Sequence, residues 1–353
     1  MENAKIGTPL NRRSFHKGMF GGFAASGLGM MDAKAALAGA PPVLNKGDVA
    51  ILQFLAAAEL VETDLWGQYS ELATHNPGYR AALQSIKDSL PDYVNGDFAD
   101  EMSHASFINA FLIAAGQQPV NLDAFRTLPS VPVQGVQNIG RLTNLTNLTV
   151  DTSYYHRYRG SGNPDFGDAF PQIVSIINQP AVPTSERIPE PDLRSIAQTA
   201  AFHFAAIEQG GSSLYTSLIT KVTDLNVVAI LASIGPTEVY HFAIFQEALE
   251  GIVDLPQTPQ LVFQGAPGVP RGPNFPNIAG NPAKGQITPH PCKFLDPSLP
   301  LCSVIRPRNT NTAGAVAAAT GLVNSGLFAG QSTAFFNAVV ALAMAADAAV
   351  RGA

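Results

Sequence analysis

The sequence predicts an all-α chain centred on a four-helix bundle, and three observations carry that expectation. Four long segments place apolar residues at helical spacing and end at strong stop signals. These segments fall into two pairs that repeat one pattern of acids, histidines and aromatics. Between the pairs lies a long Pro-, Asn- and Thr-rich stretch, which serves as a crossover connection.

The first helix is expected from Asp48 to about His75, with Phe54, Leu55, Leu65 and Leu72 on its apolar side. Asn76-Pro77-Gly78 ends it. A short helix follows from Tyr79 to Leu90, with Pro91 as its stop. Asp97 is expected to cap the second long helix, which reaches Ala115 and closes at Gly116 and Pro119. Residues 117–190 form the irregular crossover, in which Asn144-Leu-Thr and Asn147-Leu-Thr read as turns. The third helix starts near Pro191-Asp192 and runs to about Thr220. The fourth runs from Asp224 to about Gly251, and Gly235-Pro236 should kink or restart it. The bundle thus occupies 46–251.

Residues 252–312 hold twelve of the chain's 27 prolines and are expected to be an extended segment with little regular structure. The Ala-rich end, 313–353, is expected to add a fifth packed helix. It carries no charge between Arg308 and Asp347, but its longest apolar run, Ala338–Ala346, is far short of a membrane span.

Charge and cysteine content narrow the function classes. The net charge is −6, and residues 1–38 contribute five bases and two acids, so the remainder carries −9. That balance disfavours nucleic acid, which needs a basic stripe, and anionic membrane surfaces. Asn11-Arg12-Arg13-Ser14-Phe15-His16-Lys17 resembles a twin-arginine export motif. Fourteen uncharged residues follow it, too few and too weakly apolar to anchor the chain, and Ala36-Leu37-Ala38 offers a cleavage site. The expectation is a 1–38 signal peptide, export by the bacterial twin-arginine machinery, and a periplasmic or secreted protein. Cys292 and Cys302 are the two cysteines, and in an exported chain they can pair and close a short loop, stabilising it by about 2–3 kcal/mol.

The chemistry concentrates in six residues. The second helix contains Glu101-Met-Ser-His104 and the fourth contains Glu238-Val-Tyr-His241. Residues three apart on a helix share a face, so each motif aims one carboxylate and one imidazole at the same point. Each is preceded by a helix with an acid in an Ala-rich run, Glu59 and Glu208. An aromatic stands seven residues beyond each acid, Trp66 and Tyr215. Two Glu helices and two Glu-x-x-His helices are the donor set of two-metal carboxylate bundles. Four carboxylates balance two divalent cations, and oxygen with imidazole suits iron or manganese. Glu101 and Glu238 are expected to bridge a pair of Fe or Mn ions, with Glu59 and His104 completing one site and Glu208 and His241 the other.

The neighbouring acids, aromatics and histidines fall outside this set. Glu62 is one turn from Glu59, but its counterpart in the repeat is Gly211, so it is expected to lie behind the ligands or in solvent. Trp66 and Tyr215 suit core packing better than a redox relay. His203 is about 140° round the helix from Glu208 and reads as structural. His75, His156 and His290 read as surface residues.

Asp100-Glu101-Met-Ser-His104-Ala-Ser-Phe107, with Leu52-Gln-Phe54 ahead of Glu59, is similar to the ferritin-like family that includes plant desiccation-related proteins and exported bacterial proteins. The resemblance covers about 48–120 and 190–251. It implies a bundle with a di-metal site at the six residues, and Gly235-Pro236 departs from the pattern just ahead of Glu238. The expected function is redox chemistry on oxygen, peroxide or ferrous iron in stress protection. The other reading is a non-catalytic, desiccation-related protein whose metal site holds the bundle together. Expected partners are a small oxidant or metal ion, the export machinery and further copies of the chain.

Overall fold

A computed structural model describes residues 42–157, 172–249, 252, 291–296, 298–304 and 314–352. The expected signal segment, and His290 with most of 252–312, lie outside the described residues. In chain order the helices are α1 (Lys46–His75), α2 (Pro77–Gln84), α3 (Leu90–Ala114), α4 (Tyr154–Arg157), α5 (Glu190–Leu218), α6 (Leu225–Ala248), α7 (Ala315–Asn324) and α8 (Thr333–Asp347). Two short antiparallel ladders pair β1 (Leu148–Val150) with β2 (Ile176–Gln179) and β3 (Pro291–Cys292) with β4 (Cys302–Ser303). The fold is all-α in character, with α1 lying along α3 and α5 along α6.

The helix ends follow from their capping residues. Asn45 accepts from the Asp48 amide at the start of α1, and Asp224 accepts from the Asn226 and Val227 amides at the start of α6. After α3, Gly116 takes φ 72°, and the amides of Gly116 and Gln117 bond the Ile113 and Leu112 carbonyls. That pair of bonds closes the helix with the left-handed residue glycine tolerates.

Five sequence expectations are corrected here. The short helix ends at Gln84 rather than Leu90. Pro91 opens α3 instead of stopping a helix, because a proline in the first turn has no intrahelical N–H bond to lose. Asp97 therefore lies inside α3, two turns from its start, and caps nothing. Pro236 does not restart α6, which is one continuous helix from Leu225 to Ala248 with the proline inside it. Its neighbour Gly235 serves packing: a Cβ there would lie 2.8 Å from Tyr215 Cβ, so glycine lets α6 approach α5 closely. The Ala-rich end is two helices rather than one, separated by a turn in which Gly326 and Gly330 have φ of 82° and 93°.

The crossover is tied to α1 by buried charge. Asp64 accepts from the amides of Leu142 and Thr143 at 3.0 and 2.9 Å and from Thr143 Oγ1 at 2.7 Å. Arg126 Nη1 approaches its other oxygen at 2.6 Å. One turn pair further, Arg141 meets Glu71 at 2.6 Å.

Burial divides the bundle into two apolar clusters. One gathers Leu65, Trp66, Tyr69, Phe202, Phe204, Phe242 and Phe245. The other gathers Ile51, Leu55, Ile108, Leu112, Leu214, Leu218, Val227 and Leu231. Along α1, α3, α5 and α6 the boundary between them falls where the buried Glu and His residues gather. The bundle thus carries a polar layer across its middle. Among the described residues only α6 is long and apolar enough to cross a membrane, and it brings buried Glu238 and His241 into that layer. The tail helices α7 and α8, at 10 and 15 residues, are shorter than a span.

Candidate metal centre

Each long helix delivers its donors from the middle of its length. α1 contributes Glu59 and Glu62, α3 contributes Asp97, Glu101 and His104, α5 contributes Glu208, and α6 contributes Glu238 and His241. The structure brings all six sequence-selected residues together, in three overlapping groups. Glu59, Glu101, His104 and Glu238 form one; Asp97, Glu101, Glu208 and His241 form a second; Glu62, Glu101, Glu208 and Glu238 form a third. Donor atoms within each group lie within 4.8 Å of one another. Glu101 belongs to all three.

The histidines mark the two ends. His104 Nδ1 lies 3.3 Å from Glu101 Oε2, 3.4 Å from Glu59 Oε2 and 3.5 Å from Glu238 Oε1. His241 Nδ1 lies 2.8 Å from Asp97 Oδ1 and 3.2 Å from both Glu101 Oε1 and Glu208 Oε2. Its Nε2 faces Asp100 Oδ2 at 3.2 Å, which fixes the ring between two carboxylate sets. One ring N–H serves one acceptor, so most of these oxygens go without a donor. With His241 Nδ1 engaged by Glu208 Oε2, the buried Glu59 Oε2, both Asp97 oxygens, Glu101 Oε1, Glu208 Oε1 and both Glu238 oxygens accept no well-formed hydrogen bond.

Protein groups alone leave this layer electrostatically strained. Burial, then the charge of Asp97, pushes Glu208 up to about 8. Burial and neighbouring carboxylates hold Glu101, Glu238 and Glu62 well above the usual carboxylate range. Asp97 is raised by burial, against the opposing pull of His241. Glu59 is the exception: burial raises it, but His104, Glu101 and the Tyr215 hydroxyl outweigh that and lower it. For His241, burial alone would lower the pKa, yet Asp97, Asp100 and Glu101 raise it far above the ordinary value.

The sequence profile of the ferritin-like domain matches residues 47–251, more than half of the chain. The chain belongs to the ferritin-like family. The match spans α1 to α6 and leaves α7 and α8 outside it. No curated protein and no solved structure gives a match.

In this ferritin-like bundle the donor set fits a metal site. Buried carboxylate oxygens without donors, packed beside imidazole nitrogens at 2.8–3.5 Å, are what cations would satisfy. Sequence reasoning missed Asp97 and under-read Glu62. Asp97 stands four residues before Glu101 and shares its helix face, a signal hidden by taking it for a cap. Glu62 is half-buried and turned toward Glu101, Glu208 and Glu238, although its repeat counterpart is Gly211. A Cβ at Gly211 would stand 2.3 Å from Glu238 Oε2, so glycine there makes room for that carboxylate.

The aromatic pair does not behave as a pair. Tyr215 crosses to the other half of the repeat and donates a hydrogen bond to Glu59 Oε1. Trp66 stacks on Phe245 at 5.1 Å and packs against Phe204. His203 is buried in the apolar cluster with its Nδ1 2.9 Å from Tyr69 Oη, and burial lowers its pKa to about 3. His75 is exposed.

Proposed function

We propose that this ferritin-like protein binds two ions of iron or manganese and carries out redox chemistry on dioxygen or peroxide in the bacterial envelope. The observation that carries the reading is the buried, donor-free set of carboxylate oxygens with a histidine at either end. Glu59 and His104 would hold one ion, Glu208, Asp97 and His241 the other, with Glu101 and Glu238 shared. Two adjacent ions of this kind, when bound, would supply paired one-electron changes.

The chain's own residues have three tasks. Six carboxylates (Glu59, Glu62, Asp97, Glu101, Glu208, Glu238) exceed two divalent charges by two and match two trivalent ones. With two divalent ions bound, two of these acids would therefore keep protons, and these are the protons the layer could give up most readily. Tyr215 holds Glu59 in one orientation through its hydroxyl. Asp100 holds the outer nitrogen of His241, so the inner nitrogen stays aimed at the layer.

Elemental analysis should find about two iron or manganese atoms per chain, the number the paired donor sets provide for. The loaded protein should turn over peroxide or ferrous iron, and Glu101→Ala should abolish both metal uptake and turnover. Metal uptake without turnover above that variant would leave a bundle-stabilising site and refute the enzyme reading. Export rests on the Arg12-Arg13 motif. Replacing both by Lys should trap the protein in the cytoplasm, and normal secretion of that variant would refute it. A Cys292–Cys302 disulfide belongs to the same reading, since β3 and β4 set the two residues opposite each other. Mass analysis of the exported protein before and after reduction tests it.

A further inference from the structure

The internal repeat breaks at one place inside the polar layer, where Glu62 on α1 corresponds to Gly211 on α5. Both residues line the same feature, a partly open cleft of about 40 Å³ between α1 and α5. Phe54, Leu65, Leu214, Leu322 and Ala318 make its sides, the last two from α7. Glu62 is the one ionisable residue in the lining.

The cleft reaches the metal-ligand layer directly. Glu62 places an oxygen within 4.8 Å of donor atoms of Glu101, Glu208 and Glu238. At Gly211 the wall is bare backbone with Glu238 immediately behind it, since even a Cβ would come to 2.3 Å of Oε2. Both oxygens of Glu238 are buried and unbonded. Gly210 and Gly211 stand side by side in the interior of α5, where glycine costs roughly 1 kcal/mol per residue relative to alanine. Something other than helix stability keeps that wall thin.

We infer that this cleft is the entry and holding site for dioxygen at the metal layer, a reading that rests on the proposed function and names its oxidant. An apolar lining accepts a small uncharged molecule at no desolvation penalty. It charges a hydrated divalent cation several kcal/mol for the water it must leave behind. Peroxide, with two O–H donors, finds acceptors there only at Glu62. Helix α7, which lies outside the matched ferritin-like domain, supplies part of the lining. The tail thus shapes access to the layer.

The test uses the full exported chain and two readouts. Xenon, an apolar probe that occupies dry cavities, should lodge between Leu65, Leu214 and Leu322 in pressurised crystals of the wild type. Ala318→Phe fills the space from α7, and should displace xenon. After anaerobic loading with ferrous iron, Ala318→Phe should bind as much iron as wild type, yet react at least tenfold more slowly with dissolved dioxygen. If Ala318→Phe loses its helical circular dichroism, Leu322→Trp, half-buried on the same wall, replaces it. Absence of xenon from the wild-type cleft overturns the inference. So does a plugged variant that excludes xenon but keeps the wild-type rate. Failure of the underlying reading looks different: wild type would bind no iron and consume no oxygen, while xenon occupancy would still decide whether the cleft takes an apolar gas.

Discussion

Stripping the metal should make this protein less stable as pH rises, the reverse of ordinary acid denaturation. Glu208 is the clearest source, with a folded pKa of about 8 against an ordinary 4.5. Between those values the unfolded chain has lost the proton that the folded chain keeps. The folded state then binds more protons, so stability falls with rising pH across that window. His203 works the other way, because its pKa is lowered to about 3, but its contribution is confined to pH below about 6.5. The window from pH 6.5 to 8 is therefore free of it. Over that window Glu208 alone removes about 1.7 kcal/mol, because the slope of about 1.4 kcal/mol per pH unit halves as pH reaches its pKa. His241 adds to the loss, since its raised pKa also makes the folded state hold a proton that the unfolded chain sheds above its ordinary value of 6.5. The assay is urea unfolding in chelator at pH 6.5, 7.25 and 8, for wild type and Glu208→Gln. Wild type should lose at least about 1.7 kcal/mol and Glu208→Gln distinctly less. With iron or manganese added, the trend should invert, because metal binding requires the acids to be deprotonated. Stability in chelator that stays flat or rises from pH 6.5 to 8 would refute the reasoning.

Three further substitutions probe separate parts of the structure. Tyr215→Phe removes the donor to Glu59 Oε1 and should cost about 1.5–3 kcal/mol in denaturant unfolding, as loss of a bond to a charged group does; a change under a few tenths would mean that the bond does not form. Asp64→Asn weakens the acceptor that holds Arg126, Leu142 and Thr143, at a cost of about 2–3 kcal/mol. Limited proteolysis should then cut first within 117–150, and cleavage elsewhere would count against the staple. Gly211→Ala should raise helix propensity by up to about 1 kcal/mol but push Glu238 aside, so the metal-dependent rise in Tm should shrink. An unchanged rise would show that Glu238 has room to spare.

The sequence by itself determined the helix pairs, the crossover between them and the six residues that gather at the centre. These rest on local rules. Glu101 and His104 share a face because they are three residues apart on one helix, whatever that helix packs against. Stop signals such as Asn76-Pro77 act within a turn. The tertiary structure decided what depends on neighbours. Pro91 can stop one helix or start the next, and the choice of starting α3 at Leu90 turned Asp97 from a cap into a buried acid. Glu62 and Gly211 are equivalent in the repeat, and only the approach of α6 shows that the glycine admits Glu238 while the glutamate joins the layer. Trp66 and Tyr215 match in spacing, yet the side chains of facing helices send one into the apolar cluster and the other to Glu59. The tail's split into α7 and α8, and the placing of α7 over the cleft, likewise depend on contacts between residues more than a hundred positions apart. Helical spacing fixes which residues point the same way; what they meet there is set by the packing of other helices.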